Sequence, residues 1–550
     1  MPRSAAAPLR TQMLALTLIL ALALAGCGPK AVDTQPHPGG TLTIAQRDSF
    51  ATFDPAFAWD PEVTPYLDLV FEGLVAFDDS GRVKPACAAA YAVSDDGRTW
   101  RFALRPGLRY ADGSRVAARD FAYGLARLFR AGALRSPGAP QFAALEGALD
   151  QGTRRAPPLG ASAPDPATVV LRLAWPDPHL LEKLAQPRYA IPVPESLAAR
   201  LGASYGAFPA TNGPYALARA GRDTVLFVRN GYYDPGHVID TGTEPITGKG
   251  YADTIRVLTN RTARQILLGL ESGRVELACP PPLEYSERLA RVAALTRVSG
   301  ETDPPVRWLL VFNAELAPLA RRDIRRAVTA GVNRQRLVEE FGRYALPVRG
   351  FARGEDGGGQ APGYDPALAR QFLEAAKQYT GVRVAVMVPR SSTLAAGLEA
   401  MTPALARASI QVDAVPRPVS DWARAAIERR GAGAILVRWR APSDDDLDGL
   451  AALLLNRGMR AGWGGNLGWY HPDAGLDSLL LRGLREVDPV AREAISGQIG
   501  TLLESDLPYL PLARIAETAL LRAPWTGARF DLRRGLDLRR IHRGGGAPTS

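Results

Sequence analysis

The sequence predicts a mixed α/β protein with more than one lobe, and three observations carry that expectation. Its 550 residues are 46% hydrophobic and 22% charged, a balance suited to folding and far too apolar for a disordered chain. A single core rarely grows past roughly 250–300 residues, so this length calls for two or more. Along the second half, short apolar β-type runs alternate with helix-spaced segments, the rhythm of a largely parallel sheet covered on both faces.

The elements follow in order. Residues 41–45 alternate like a first strand, and residues 117–129 carry Phe121, Leu125, Leu128 and Phe129 at helical spacing. Residues 168–173 read as a strand. Residues 215–217 and 224–228 flank Gly221-Arg222-Asp223, which predicts a hairpin. A helix over 264–270 is stopped by Gly273. A strand at 309–312 and one helix over 323–341 open the second half. Asp365 then caps a helix that Pro366 starts, because the carboxylate satisfies free N–H groups and proline needs none. Strand 382–388, helix 394–407, strand 410–415, helix 422–429 and strand 434–437 complete the alternation. The Gly/Pro-rich residues 350–363 read as a surface loop.

The N-terminus reads as an address. Arg3 and Arg10 precede an apolar stretch over 13–25, too short for a stable span, and Leu24-Ala25-Gly26-Cys27 follows. The pattern resembles a bacterial lipobox, which places a diacylglyceryl group on Cys27 after residues 1–26 are removed. Two acyl chains anchor stably where one holds only marginally. Residues 27–39 read as a flexible tether. The protein is expected at the outer face of the bacterial cytoplasmic membrane.

Charge names no partner. The formal net charge is +10, from 66 basic and 56 acidic residues. Only five of the basic residues are lysines, and the 61 arginines are interleaved with acids along the chain. Nucleic-acid binders gather their basic residues on one face or tail. The only cluster here is Arg533, Arg534, Arg539, Arg540 and Arg543, which reads as a solvated edge or tail. Nucleic acid is excluded as a partner.

No active site assembles. Gly202-Ala203-Ser204-Tyr205-Gly206 fits the nucleophile-elbow pattern of an esterase, but a helix end precedes it where a strand is required. Residues 242–250 lack the spacing and hydroxyl of a phosphate loop. His37, His179, His237, His471 and His542 are scattered, so no metal site or cofactor is expected. Cys87 and Cys279 read either as a disulfide or as two small buried hydrophobes.

A set of ordered fragments is similar to one family. Gly39-Gly40-Thr41-Leu42, Phe53-Asp54-Pro55 and Phe71-Glu72-Gly73-Leu74-Val75 open the match. Ser94-Asp95-Asp96-Gly97-Arg98-Thr99-Trp100, Leu104-Arg105-Pro106-Gly107 and Asp112-Gly113-Ser114 form its signature region, with Ala118-Arg119-Asp120 before a helix. Asn212-Gly213-Pro214-Tyr215, Phe312-Asn313, Asp323-Ile324-Arg325-Arg326-Ala327-Val328, Val332-Asn333-Arg334, Tyr364-Asp365-Pro366, Asp488-Pro489 and Leu507-Pro508-Tyr509-Leu510-Pro511-Leu512 continue it. Together they resemble the extracellular solute-binding proteins of the peptide/nickel type, family 5, which serve ABC importers.

That resemblance implies a two-lobed clamp of the periplasmic-binding-protein type (type II, with an extra N-terminal subdomain), closing about a hinge. It implies a first lobe over 40–305 with an insert at about 60–190, a second lobe over 306–508, and a return to the first lobe over 509–550. It implies a monomeric, non-enzymatic receptor that hands a small solute, a short peptide foremost, to ABC permease subunits. A ligand-sensing lipoprotein of the same fold stays open beside it. Tryptophans line the cleft in this family, which points to Trp59, Trp308, Trp422 and Trp439. Arg438 is a candidate for a ligand carboxylate. Peptide binders usually place an aspartate three residues after the last of these tryptophans. Pro442 stands there instead, leaving Asp444 or Asp445 to take the role, or a ligand without a free amine.

Overall fold

The computed structural model describes residues 33–129, 136–151, 157–234, 250–341, 345–348, 363–390, 392–428, 432–455 and 474–545. Residues 1–32 with Cys27, residues 350–362, and His237 and His471 lie outside the described residues.

A seven-stranded sheet runs in the order Leu295–Gly300, Glu517–Arg522, Leu277–Ala278, Thr41–Ala45, Thr254–Leu258, Thr224–Arg229, Tyr215–Ala220. Its middle strand, Thr41–Ala45, pairs in parallel with both neighbours and hides Leu42 and Ile44 completely. The hairpin expected at 215–228 is present. Helix Ala263–Ser272 packs on this sheet between two signals the sequence displays. Thr262 and Gln265 form a reciprocal cap at its start, and Gly273 ends it at φ 71.

A six-stranded sheet follows in the order Ala345–Pro347, Tyr509–Ile515, Arg307–Phe312, Ala434–Trp439, Val382–Pro389, Ile410–Arg417. Arg307–Phe312 and Ala434–Trp439 are buried at every position, so each reads as an apolar run carrying a single arginine. The sheet is mixed, which corrects the expectation of a largely parallel one. Three pairings at one side are antiparallel and two at the other are parallel. Tyr509–Ile515 arrives from far along the chain, and a local β-α-β rhythm carries no information about the direction of such a strand.

The helix expected over 323–341 is two helices, Arg322–Gly331 and Arg334–Phe341. Val332 leaves the helix with extended backbone (ψ 120). Gly331 lies so close to Ala408 and Ile410 that a Cβ there would stand 3.1 Å from each. Asp365 caps Pro366–Ala375 as expected, accepting from the N–H groups of Ala367 and Leu368 at 2.9 Å each.

A four-stranded antiparallel sheet, Ala88–Val93, Thr99–Leu104, Thr168–Arg172, Ala161–Asp165, carries helix Ala118–Phe129 against it. Strand Asp33–His37 pairs with His542–Gly545, so this part of the expected tether is sheet.

We take the seven- and six-stranded sheets as the bodies of the two lobes. The chain passes from Leu295–Gly300 into Arg307–Phe312 and returns from Tyr509–Ile515 into Glu517–Arg522. The outgoing and returning strands are neighbours in both sheets. Between the sheets the Ile515 N–H donates to the Val306 carbonyl at 3.2 Å. Strand Tyr509–Ile515, at the start of the segment expected to return, pairs within the six-stranded sheet, and the chain reaches the seven-stranded sheet at Glu517.

Candidate functional site: the cleft between the lobes

A cavity of about 370 Å³ opens where the two crossings meet, within the roughly 300–1,000 Å³ of small-ligand pockets. The first lobe contributes Glu62, Tyr66, Cys279 and Glu517, and the second contributes Trp308 and Arg438. Trp308 is wedged by its own surroundings. Its ring meets Phe341 edge-on with centroids 4.9 Å apart. A Cβ at Gly397 would stand 2.3 Å from the indole, so only glycine leaves it room.

Arg438 closes the cavity floor by reaching across the lobes. Strand Ala434–Trp439 turns this side chain, 2% exposed, toward the first lobe. There its Nε and Nη2 donate to Asp60 at 3.1 and 2.9 Å, and its Nη1 lies 3.3 Å from Asp48 and 2.9 Å from Glu62. Burial disfavours its charge, but Asp60, Glu62 and Asp48 outweigh that and hold the guanidinium above its ordinary pKa. Three carboxylates around one cation leave negative charge in excess. Burial, with Asp48 and Asp60 adding to it against Arg438, pushes the Glu62 carboxyl up to about 8. Burial likewise raises Asp48 and, with Arg440 acting against it, Glu517.

The other predicted residues lie beside the cavity. Trp59 and Trp422 pack on each other across the lobes with centroids 5.0 Å apart. Trp422 is fully buried inside helix Val419–Glu428, not at its start, and its indole N–H donates to the Leu436 carbonyl at 3.2 Å. Trp439 is buried against Gly449. Of the four tryptophans, Trp308 lines the cavity.

Asp444 and Asp445 are engaged elsewhere. Asp444 pairs with Arg533 of the first lobe, with one contact at 2.6 Å. Asp445 caps helix Asp446–Leu454 and binds Arg492 at 2.8 Å, and these contacts hold its carboxyl below the usual range despite burial. The Pro442 carbonyl accepts from Gln186 Nε2 at 3.1 Å. Nearby, buried Lys183 joins Asp177 of the first lobe to Asp448 of the second at 2.9 and 2.8 Å.

The C-terminal arginine cluster corrects the expectation of a solvated edge. Arg534 pairs with Asp531 at 3.2 Å, Arg539 with Asp68 at 3.3 Å, and Arg540 with Asp537 at 3.1 Å. Burial would raise the Asp537 carboxyl, yet Arg539, Arg534 and Arg540 drive it far below the usual carboxylate range. Arg543 lies 5.4 Å from the Trp525 ring centre. Cys87 and Cys279 are both free thiols. Ser204 sits in a 3₁₀ turn directly after helix Glu195–Leu201, without the strand-to-helix elbow of a hydrolase.

A closed cleft between two α/β lobes is the setting for comparison with known proteins. Residues 82–460 match the family model of bacterial extracellular solute-binding proteins, family 5. The chain belongs to this family. It is 27% identical over 352 residues to the glutathione-binding protein GsiB of Salmonella typhi, a match covering 61% of each chain. The alignment thus spans under two thirds of that relative. It is 24% identical over 528 residues to GsiB of Escherichia coli K12, covering 92% of this chain and 93% of that one. The fold is that of the Escherichia coli murein tripeptide binding protein MppA, with a TM-score of 0.78 at 20% identity, covering 93% and 99% of the two chains.

Of the candidates read from the sequence, Trp308 and Arg438 line this cavity, and Glu62 and Glu517, which line it too, were not singled out. Nothing local marks Glu517, whose setting depends on how the lobes meet.

Proposed function

We propose that this chain is the lipid-anchored receptor of an ABC importer, capturing a short peptide between its lobes and presenting it to the permease. The observation that carries this reading is the cavity of about 370 Å³ whose lining is shared by both lobes. A ligand held there contacts both lobes only in the closed form, so binding shifts the protein toward closure. The lining supports a ligand with a positive end. Arg47 is paired with Glu284 and Glu339 with Arg336, while Asp60, Asp48 and Glu62 share the single Arg438, so acids outnumber cations around the space and Glu62 and Glu517 face it. Trp308 and Phe341 supply an apolar wall for a side chain. The glutathione-binding relatives and the peptide-binding neighbour support a peptide over a sugar or metal chelate.

Calorimetry with glutathione and a panel of di- and tripeptides tests the ligand. Micromolar or tighter binding of at least one is expected, and heats of dilution alone for all would refute the peptide reading. Loss of uptake of that peptide in a deletion strain tests the import role, against a sensing role in which uptake survives. Cys27→Ala should move the protein from the membrane fraction to the soluble fraction.

A further inference from the structure

Arg440 is buried, at 4% exposure, and makes no hydrogen bond or ion pair among the described residues; its Nη2 is enclosed without an acceptor. A guanidinium in that state is costly. It also faces a second cation. Arg188, 2% exposed, stands near enough to oppose its charge, and burial together with Arg188 pushes the Arg440 pKa down to about 10. Glu517, Asp531 and Arg533 are the other charged groups acting on Arg440, and the two carboxylates lie outside ion-pair range.

The unmet donors extend around this pair. Arg188 spends Nη1 on the Trp59 carbonyl at 2.9 Å, but its Nε has no acceptor. The Trp59 indole N–H has none either. Gln186, which ties this segment to Pro442 across the lobes, leaves its Oε1 unmet. Buried polar groups are satisfied in the great majority of cases. Three lacking acceptors in one neighbourhood, two of them on arginines, describe a receptor for an anion.

We propose that Arg440 of the second lobe and Arg188 of the first form an anion subsite that takes a carboxylate of the bound solute, with Trp59 Nε1 as a further donor. The proposal rests on the solute-binding reading and extends it to ligand class. Glu517 lines the cavity and Arg440 is the cation that acts on it most, so the subsite adjoins the acidic space. One solute with an ammonium near Glu62 and Glu517 and a carboxylate on Arg440 and Arg188 would span both. A carboxylate bridging two arginines on opposite lobes also cancels their mutual repulsion, so it draws the lobes together.

The test compares wild type, Arg440→Met and Arg188→Gln by thermal unfolding and calorimetry. Methionine keeps the stem and removes the unmet charge, so ligand-free Arg440→Met should melt at or above wild type. A fall of more than about 3 °C would mark a structural arginine and overturn the proposal. Trialanine should bind wild type at least about tenfold tighter than trialanine amide, and both variants should lose that preference. Equal binding of acid and amide to wild type overturns the subsite while leaving solute capture intact. If neither peptide nor glutathione binds, the peptide reading falls, and succinate against dimethyl succinate decides the subsite alone. Succinate should raise the melting temperature of wild type and not of Arg440→Met, and no difference between diacid and diester overturns the proposal.

Discussion

Arg438 and Asp60, separated by 378 positions in sequence, form a two-point hydrogen-bonded ion pair that joins the second lobe to the first at 3.1 and 2.9 Å. Arg438 also lies in the wall of the cavity between the lobes, so the bond that joins the lobes is part of that cavity's lining.

Removing the cation should be expensive. Arg438→Gln strands the Asp60 and Asp48 carboxylates in a buried setting, and breaking a buried pair from one side costs roughly 3–5 kcal/mol. Urea unfolding of the variant should show a loss of that order. The double variant Arg438→Met/Asp60→Leu should recover part of it, because both charges are then gone. A single-variant loss below about 1 kcal/mol would show that the pair is open in solution.

The acid excess around Arg438 makes stability depend on pH. Burial raises Glu62 from 4.5 to about 8 in the folded protein. Between those values the folded state holds a proton that the unfolded state has released. This contribution is fully present below about pH 4.5 and is lost as pH rises through about 8. Glu62→Gln mimics the protonated carboxyl. The melting temperature of wild type relative to Glu62→Gln should therefore fall steadily between pH 5 and pH 9. A constant difference across that range would mean the carboxyl is ionised throughout.

Lys183 offers a second cross-lobe contact with a different outcome from the rim. Lys183→Met leaves Asp177 and Asp448 buried without their cation, so a loss of roughly 3–5 kcal/mol is expected in urea unfolding. Arg533→Gln removes a partly exposed partner of Asp444 and should cost about 1 kcal/mol or less, fading at high salt. Equal losses from both variants would contradict the burial that separates them.

The tryptophans should divide by measurement. Trp422→Ala empties a fully buried site and should cost about 3–5 kcal/mol of stability. Trp308→Ala opens the cavity wall and should weaken peptide affinity by at least about tenfold. Trp439→Ala is expected to weaken affinity similarly, through collapse of the strand end that carries Arg438 and Arg440. Unchanged calorimetric affinity in Trp308→Ala would remove that ring from the binding surface.

Local chemistry was legible in the sequence wherever its partners are local. The Asp365 cap needs only residues 367 and 368, and the stop at Gly273 needs only its own φ, so both are read correctly. The break at Val332 was not, because the crowding on Gly331 comes from Ala408 and Ile410, far along the chain. Distance explains part of the arginine cluster: Asp537 is a local partner of Arg539 and Arg540, but Asp68 and Asp79, which also pair with them, lie over 450 positions away. Composition marks residues 33–39 as tether because a short strand at a chain end shows no periodicity until its partner, His542–Gly545, is known. In the cleft, Trp308 was reached through the family resemblance, whereas charged residues took their meaning from the opposite lobe.

The outgoing and returning strands lie side by side in both sheets and bond to each other at Val306 and Ile515. Two adjacent crossings fix a line rather than a point. Bending about that line needs only small torsions near Val306 and Ala516, while sliding or twisting would tear ladder bonds on both sides. Relative motion of the two sheets is thereby confined to one soft coordinate, bending about the line of the paired crossings.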